Sequence, residues 1–118
     1  MFWPTNSSNV NTLGAITIFK NMRIIAKRAL REYWEEYPET EQHLKTWYQI
    51  VKQANWDTPN DVKAVFGNAS IVGNGRIVFN VKGNDYRLIV KISYEKSLVF
   101  IRFLGTHSEY DKIDASEI

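Results

Sequence analysis

The sequence predicts an α+β domain in which an N-terminal strand and two or three helices pack on one face of an antiparallel β-meander. Two observations carry that prediction. Apolar residues recur at spacings of three and four through the first half of the domain, and after Gly67 they gather instead into three short β-branched and aromatic runs joined by tight polar links. Helices first and strands after is the pattern of a sheet with its helices on one side.

The elements follow in order. Residues 1–21 are rich in Asn, Ser and Thr, carry Lys20 as their single charge, and are expected to be a dispensable extension or an ordinary flexible terminus. At Met22 the pattern changes, and residues 22–118 read as one compact domain. A short apolar run from Arg23 to Ala26 suggests the first strand. A helix follows, with Ala29, Leu30, Tyr33, Trp34 and Tyr37 on one stripe, and Pro38 ends it or opens the next. The second helical pattern runs from about Glu39 to Ala54, its stripe formed by Leu44, Trp47, Tyr48 and Val51. Thr58-Pro59-Asn60-Asp61 is a helix start: the Thr58 hydroxyl can cap, Pro59 suits the first helical position, and Asp61 favours the positive end. That third helix should reach Phe66. The three runs 76–82, 86–93 and 98–104 then form the meander.

Composition narrows the function. The chain has 118 residues, a 44% hydrophobic fraction and no cysteine, so it can bury a core unaided and has no disulfide or cysteine chemistry. No stretch approaches the roughly 18 consecutive apolar residues of a membrane span, and the first residues lack the pattern of a secretory signal. A cytoplasmic protein with no membrane partner is expected. The net charge is only +2, but it is unevenly placed: residues 76–105 contain six Lys or Arg against two Asp or Glu.

Strand parity sorts those charges, provided no bulge shifts the register. Ile77, Phe79 and Val81, then Tyr86, Leu88, Val90 and Ile92, then Val99, Ile101 and Phe103 form apolar sets suited to face the helices. Arg76, Lys82, Arg87, Lys91 and Arg102 fall on the opposite face, with Phe100 among them. Any sheet with one wet face carries lysine and arginine. A cationic face with an aromatic ring in it is also what grips phosphates and stacks a base.

His107 is the candidate for proton transfer, because it directly follows the last strand and imidazole titrates near neutrality. Tyr110 and Asp111 stand three and four residues on, one turn away if a helical turn forms, and Thr106 with Glu109 makes a capping-box pattern that would fix that turn. His43, inside the second helix, reads as a surface residue. His107 and Asp111 lack a third metal ligand nearby in sequence, and no glycine-rich phosphate loop or activated serine is present, so no metal and no cofactor are expected.

From Met22 onward the sequence resembles the HigB toxins of the RelE/ParE-like superfamily. The resemblance is carried by Met22-Arg23-Ile24-Ile25, by Trp56-Asp57-Thr58-Pro59 with Asp61, Val62 and Lys63, and by Arg76-Ile77-Val78-Phe79-Asn80-Val81. It continues in Gly83-Asn84-Asp85-Tyr86-Arg87-Leu88-Ile89, in Ile101-Arg102-Phe103-Leu104-Gly105-Thr106-His107 and in Glu109-Tyr110-Asp111-Lys112-Ile113. It implies a RelE-like fold and a toxin that cuts messenger RNA on the ribosome without a metal, arresting growth. It also implies a HigA-like helix-turn-helix antitoxin bound in a toxin–antitoxin hetero-oligomer. The chemistry would then fall to His107 as general acid or base, Tyr110 as a positioning or proton-transfer group, and Arg102 as a charge stabiliser. Arg76, Lys82, Arg87, Lys91 and Phe100 would hold the RNA. Two other readings stand beside it: a ParE-like toxin acting on DNA gyrase, and a non-catalytic RNA-binding domain.

Overall fold

The structure is a computed structural model that describes residues 21–118; the polar extension, apart from Asn21, lies outside the described residues. Strand β1 (Arg23–Ile25) leads into helix α1 (Lys27–Glu36), a single 3-10 turn (Pro38–Thr40) and helix α2 (Glu41–Gln53). Helix α3 (Pro59–Val65) is followed by strands β2 (Ser70–Ile71), β3 (Arg76–Val81), β4 (Tyr86–Ser93) and β5 (Leu98–Thr106), and by the one-turn helix α4 (His107–Tyr110). The expected α+β arrangement is observed. Pro38 serves the 3-10 turn rather than the start of α2, and the buried Thr40 hydroxyl donates to Tyr37 O at 2.7 Å, which satisfies it in place. Thr58 caps α3 through a reciprocal capping box with Asp61.

The sheet has five strands in the order β1-β5-β4-β3-β2. The β3-β4-β5 meander is antiparallel, whereas β1 lies parallel against β5 with Arg23 opposite Leu98 and Ile25 opposite Phe100. On the helical side Ile77, Phe79, Val81, Leu88, Val90, Ile92 and Val99 close against Leu30, Trp34, Leu44, Trp47, Val51 and Val62. Phe79 sits at the centre, its ring edge-to-face with Trp47 at 5.4 Å and with Phe66 at 5.0 Å.

The structure corrects three expectations on the sheet. First, a bulge shifts the β4-β5 register: Ile89 pairs with Phe103 but Val90 pairs with Ile101, leaving Arg102 as the extra residue. Parity therefore flips beyond it, so Leu104 joins the helix-side core and Phe103 turns to the other face. Second, that other face is not simply wet. The segment after α4 folds back over it, and Ala115, Ile113, Ile118 and Tyr110 pack with Val78, Ile89, Val72 and Phe103 into a second small cluster. Third, Lys82 leaves the strand alternation. Its φ is +53°, followed by Gly83 at +65°, and its side chain lines a groove on the helical side with His43 and Trp47.

At the rim of the core, the Tyr86 hydroxyl donates to the Glu39 carboxylate. That bond, followed by burial, holds the Tyr86 phenol up at about 12, and it holds Glu39 below the usual carboxylate range. A phenol that keeps its proton longer when folded contributes stability that is fully present below the unfolded value of about 10 and is lost as pH rises towards the folded one. Urea titrations at about pH 9 and about pH 11 are therefore expected to show a clear fall for the native chain. Tyr86→Phe is expected to lose part of that fall; an identical fall would place the alkaline sensitivity elsewhere.

Candidate active site

Helix α4 begins where β5 ends because Thr106 caps it. The Thr106 side chain accepts from Glu109 N–H at 3.1 Å, and Glu109 Oε1 accepts from Thr106 N–H at 2.8 Å. His107 is the first residue of that turn, and its own N–H donates to Asp85 O at 3.0 Å across the end of the sheet. Its Nδ1 stands 3.0 Å from Asp111 Oδ2, one turn on. A carboxylate on Nδ1 selects the tautomer that carries a proton there and leaves Nε2 for a substrate. His107 is half-buried and Asp111 exposed, so the imidazole is held yet reachable. Gly105 permits the approach: a Cβ there would lie 2.6 Å from Phe103 Cζ and 2.7 Å from Glu109 Oε1. Gly105→Ala is accordingly expected to destabilise by about 1–3 kcal/mol, as overpacking does, and to loosen the α4 cap; an unchanged urea midpoint would show that both neighbours can yield.

The two groups beside His107 are joined. The Arg87 guanidinium carbon lies 5.6 Å from the Tyr110 ring centroid, a cation–π contact. The guanidinium is fixed by Asn84, whose backbone and side-chain oxygens accept at 3.1 and 2.6 Å. Arg87 is itself buried and pairs with Gly105, so the Arg87–Tyr110 contact and the His107–Asp111 pair lie at the same end of β5.

The other cations gather elsewhere. Lys91, Lys96, Phe100 and Arg102 line a groove of about 400 Å³ with Ser93 and Leu98. Lys91 is four residues along β4 from Arg87, about 13 Å at strand rise, with the second apolar cluster between the two groups. Arg76 is buried: its Nε and Nη2 donate to Ile118 O at 3.2 and 2.7 Å, and Nη1 donates to Asn74 O at 2.9 Å. Arg102 Nε reaches the same Ile118 oxygen at 3.3 Å. Lys82 pairs with Asp85 at 3.0 Å. The sequence-predicted residues therefore fall into a His107–Tyr110 end and a cationic groove, with Arg76 engaged by backbone oxygens and Lys82 on the helical side.

Lys96, counted among the six cations of residues 76–105 but not assigned to a face, joins the cationic groove from the link between β4 and β5. Sequence reading missed Asn84, which steers Arg87, because it counted Asn84 only as part of a turn.

Known proteins sharpen these observations. Residues 40–113 match the family model of HigB toxins, described as the RelE-like toxic component of a toxin–antitoxin system. The chain is 30% identical over 94 residues to the mRNA interferase HigB of Escherichia coli O6:H1, spanning 78% of this chain and 91% of that protein. It is also 30% identical over 92 residues to the mRNA interferase toxin HigB of Escherichia coli K12 and to the mRNA interferase HigB of Shigella flexneri, covering 76% of this chain and 88% of each. A match over more than half the chain, carried on the fold expected for it, leaves one conclusion: the chain belongs to the HigB family, the RelE-like toxins of toxin–antitoxin systems.

Proposed function

We propose that this toxin is an mRNA interferase, cutting translated messages on the ribosome in the cytoplasm and held in check by a HigA-like helix-turn-helix antitoxin. The observation that carries the reading is the His107–Asp111 pair on a capped turn, with the Arg87–Tyr110 contact beside it and a cationic groove farther along the same face. The relatives' names support it. Residues 22–118 are proposed to suffice for activity.

The chemistry needs no protein nucleophile. The RNA 2′-hydroxyl attacks the adjacent phosphorus; the new 2′-O–P bond forms, the P–O5′ bond breaks, and a 2′,3′-cyclic phosphate and a 5′-hydroxyl result. One group takes the 2′ proton and another returns a proton to the leaving oxygen, and His107 is assigned one of these transfers. Arg87, buried and held by Asn84 and Tyr86, is assigned to offset the charge that builds on the phosphorane from beneath the surface, where a preset cation is most effective. Tyr110 positions that guanidinium or shares in proton transfer. Lys91, Lys96 and Arg102 hold flanking phosphates, Phe100 stacks a base, and a few nucleotides span the distance between the two groups.

Induced expression of residues 22–118 with genome-wide mapping of new RNA 5′ ends tests the reading. Cuts inside translated messages, and none in untranslated controls, are expected. Growth arrest with gyrase-linked DNA breaks and no such cuts would replace it with the ParE-like reading.

A further inference from the structure

We infer that the end of β3 is a docking edge for an extended segment of the antitoxin, which adds as a short strand beside Asn80 and lays an apolar side chain over Trp47. The inference rests on the antitoxin reading above and deepens it.

Strand β2 covers only part of its neighbour: Ser70 pairs with Val78 and Ile71 with Ile77, while β3 continues to Val81. Along a strand, the backbone groups of alternate residues face the same edge. The Arg76 carbonyl accepts from Val72 N–H at 3.1 Å on the β2 side, so the N–H and C=O of Asn80 point to that side too, past the end of β2. No backbone group meets them there among the described residues. An edge amide and carbonyl side by side are where an added strand exchanges two hydrogen bonds.

Two grooves flank Asn80. One of about 310 Å³ runs between α2 and β3, lined by Thr46, Trp47, Phe66, Asn80, Val81 and Lys82. The other, of about 210 Å³, is shared by Phe66, Ala69, Phe79 and Asn80. Side chains of an added strand that point to the helical side enter them. Trp47 is 4% exposed, yet its indole N–H finds no acceptor among the described residues. No other buried side-chain donor or acceptor among them is left so. A buried donor without a partner is costly, and an oxygen on the docked segment relieves that cost.

Charge fits the same occupant. The ionisable groups lining the two grooves are His43 and Lys82, and neither groove has an acidic wall. Lys82 meets Asp85 in an exposed pair, weak enough to be shared with a carboxylate on the segment. A polyanion would answer Lys82 but not the paired donor and acceptor of Asn80. The occupant is therefore an extended peptide with an apolar side chain, an oxygen acceptor beside it and an acidic residue near the end of β3. Val81 stands opposite Tyr86 and Tyr86 opposite Thr106, so this edge lies two strands, roughly 10 Å, from the start of α4. A segment seated there is anchored beside His107 without entering the cationic groove.

The test uses the full chain carrying His107→Ala and, as probe, the helix-turn-helix protein encoded beside the toxin gene. Thr46→Trp fills the first groove from an exposed position and is expected to weaken the complex about tenfold or more. Asn80→Pro removes the outward N–H, a change that edge strands accept, and should weaken it similarly. Hydrogen exchange should show the Asn80 amide protected in the complex and open in the free toxin. With His107 restored, both variants should still cut messages while the antitoxin no longer rescues growth. Should Asn80→Pro alter the circular dichroism spectrum, Thr46→Trp and the exchange measurement decide. Native affinity for Thr46→Trp, or an Asn80 amide that stays open in the complex, would overturn the inference and leave the antitoxin reading intact. Self-association of the toxin alone that Thr46→Trp abolishes would assign the edge to a second copy and overturn it too. A neighbouring product that neither binds nor rescues the unaltered toxin would overturn both readings.

Discussion

Replacing His107 by alanine is expected to slow message cleavage by about 10²–10⁴-fold, the usual loss when a positioned general acid or base is removed. The fold should survive, because the side chain is half-buried, belongs to neither apolar cluster, and leaves the Thr106–Glu109 cap in place. The decisive comparison is initial cleavage rate in a translating extract, for wild type, His107→Ala and Asp111→Asn, at matched circular dichroism. Asp111→Asn keeps a short polar side chain but removes the carboxylate 3.0 Å from Nδ1 that orients the ring, so an intermediate loss is expected. A His107→Ala protein that cuts at the native rate would pass proton transfer to Tyr110 and the lysines.

The largest expected effect on stability comes from Phe79→Ala. The side chain is 2% exposed and meets Trp47 and Phe66 edge-to-face. Its loss should cost about 3–5 kcal/mol through lost burial and the cavity left behind. That is a large fraction of the 5–15 kcal/mol of an ordinary domain. Urea unfolding should show a lower midpoint with an unchanged slope. A loss under about 1 kcal/mol would mean that Trp47 and Phe66 collapse into the space.

The helices were legible because their apolar stripes repeat: Leu30 and Trp34, then Leu44, Trp47 and Val51, are the buried residues of α1 and α2. The α3 start was legible in Thr58 and Asp61, and the turn that presents His107 in Thr106 and Glu109, since capping is written in neighbouring residues. What escaped depended on partners distant in sequence. The bulge at Arg102 leaves no local mark, because Phe103 and Leu104 are both apolar and either suits the core. Arg76 reads as a surface cation until Ile118 is brought across the sheet to accept from it. The segment after Tyr110 has no period of two or of 3.6, so nothing announced that it would cover Val78 and Ile89. Strand β2, two residues long, is too short for any pattern.

The parallel seam between β1 and β5 bears on how such a gene can be silenced. Among the described residues strand β1 has no neighbour in the sheet other than β5, so a nascent chain holds that pairing open until residues 98–100 have been synthesised. A frameshift or stop codon in the link between β4 and β5 leaves β1 and the free edge of β4 without their partner, although the truncated product keeps helices α1, α2 and α3. Products that end before β5 should therefore be found by proteases rather than persist as folded fragments.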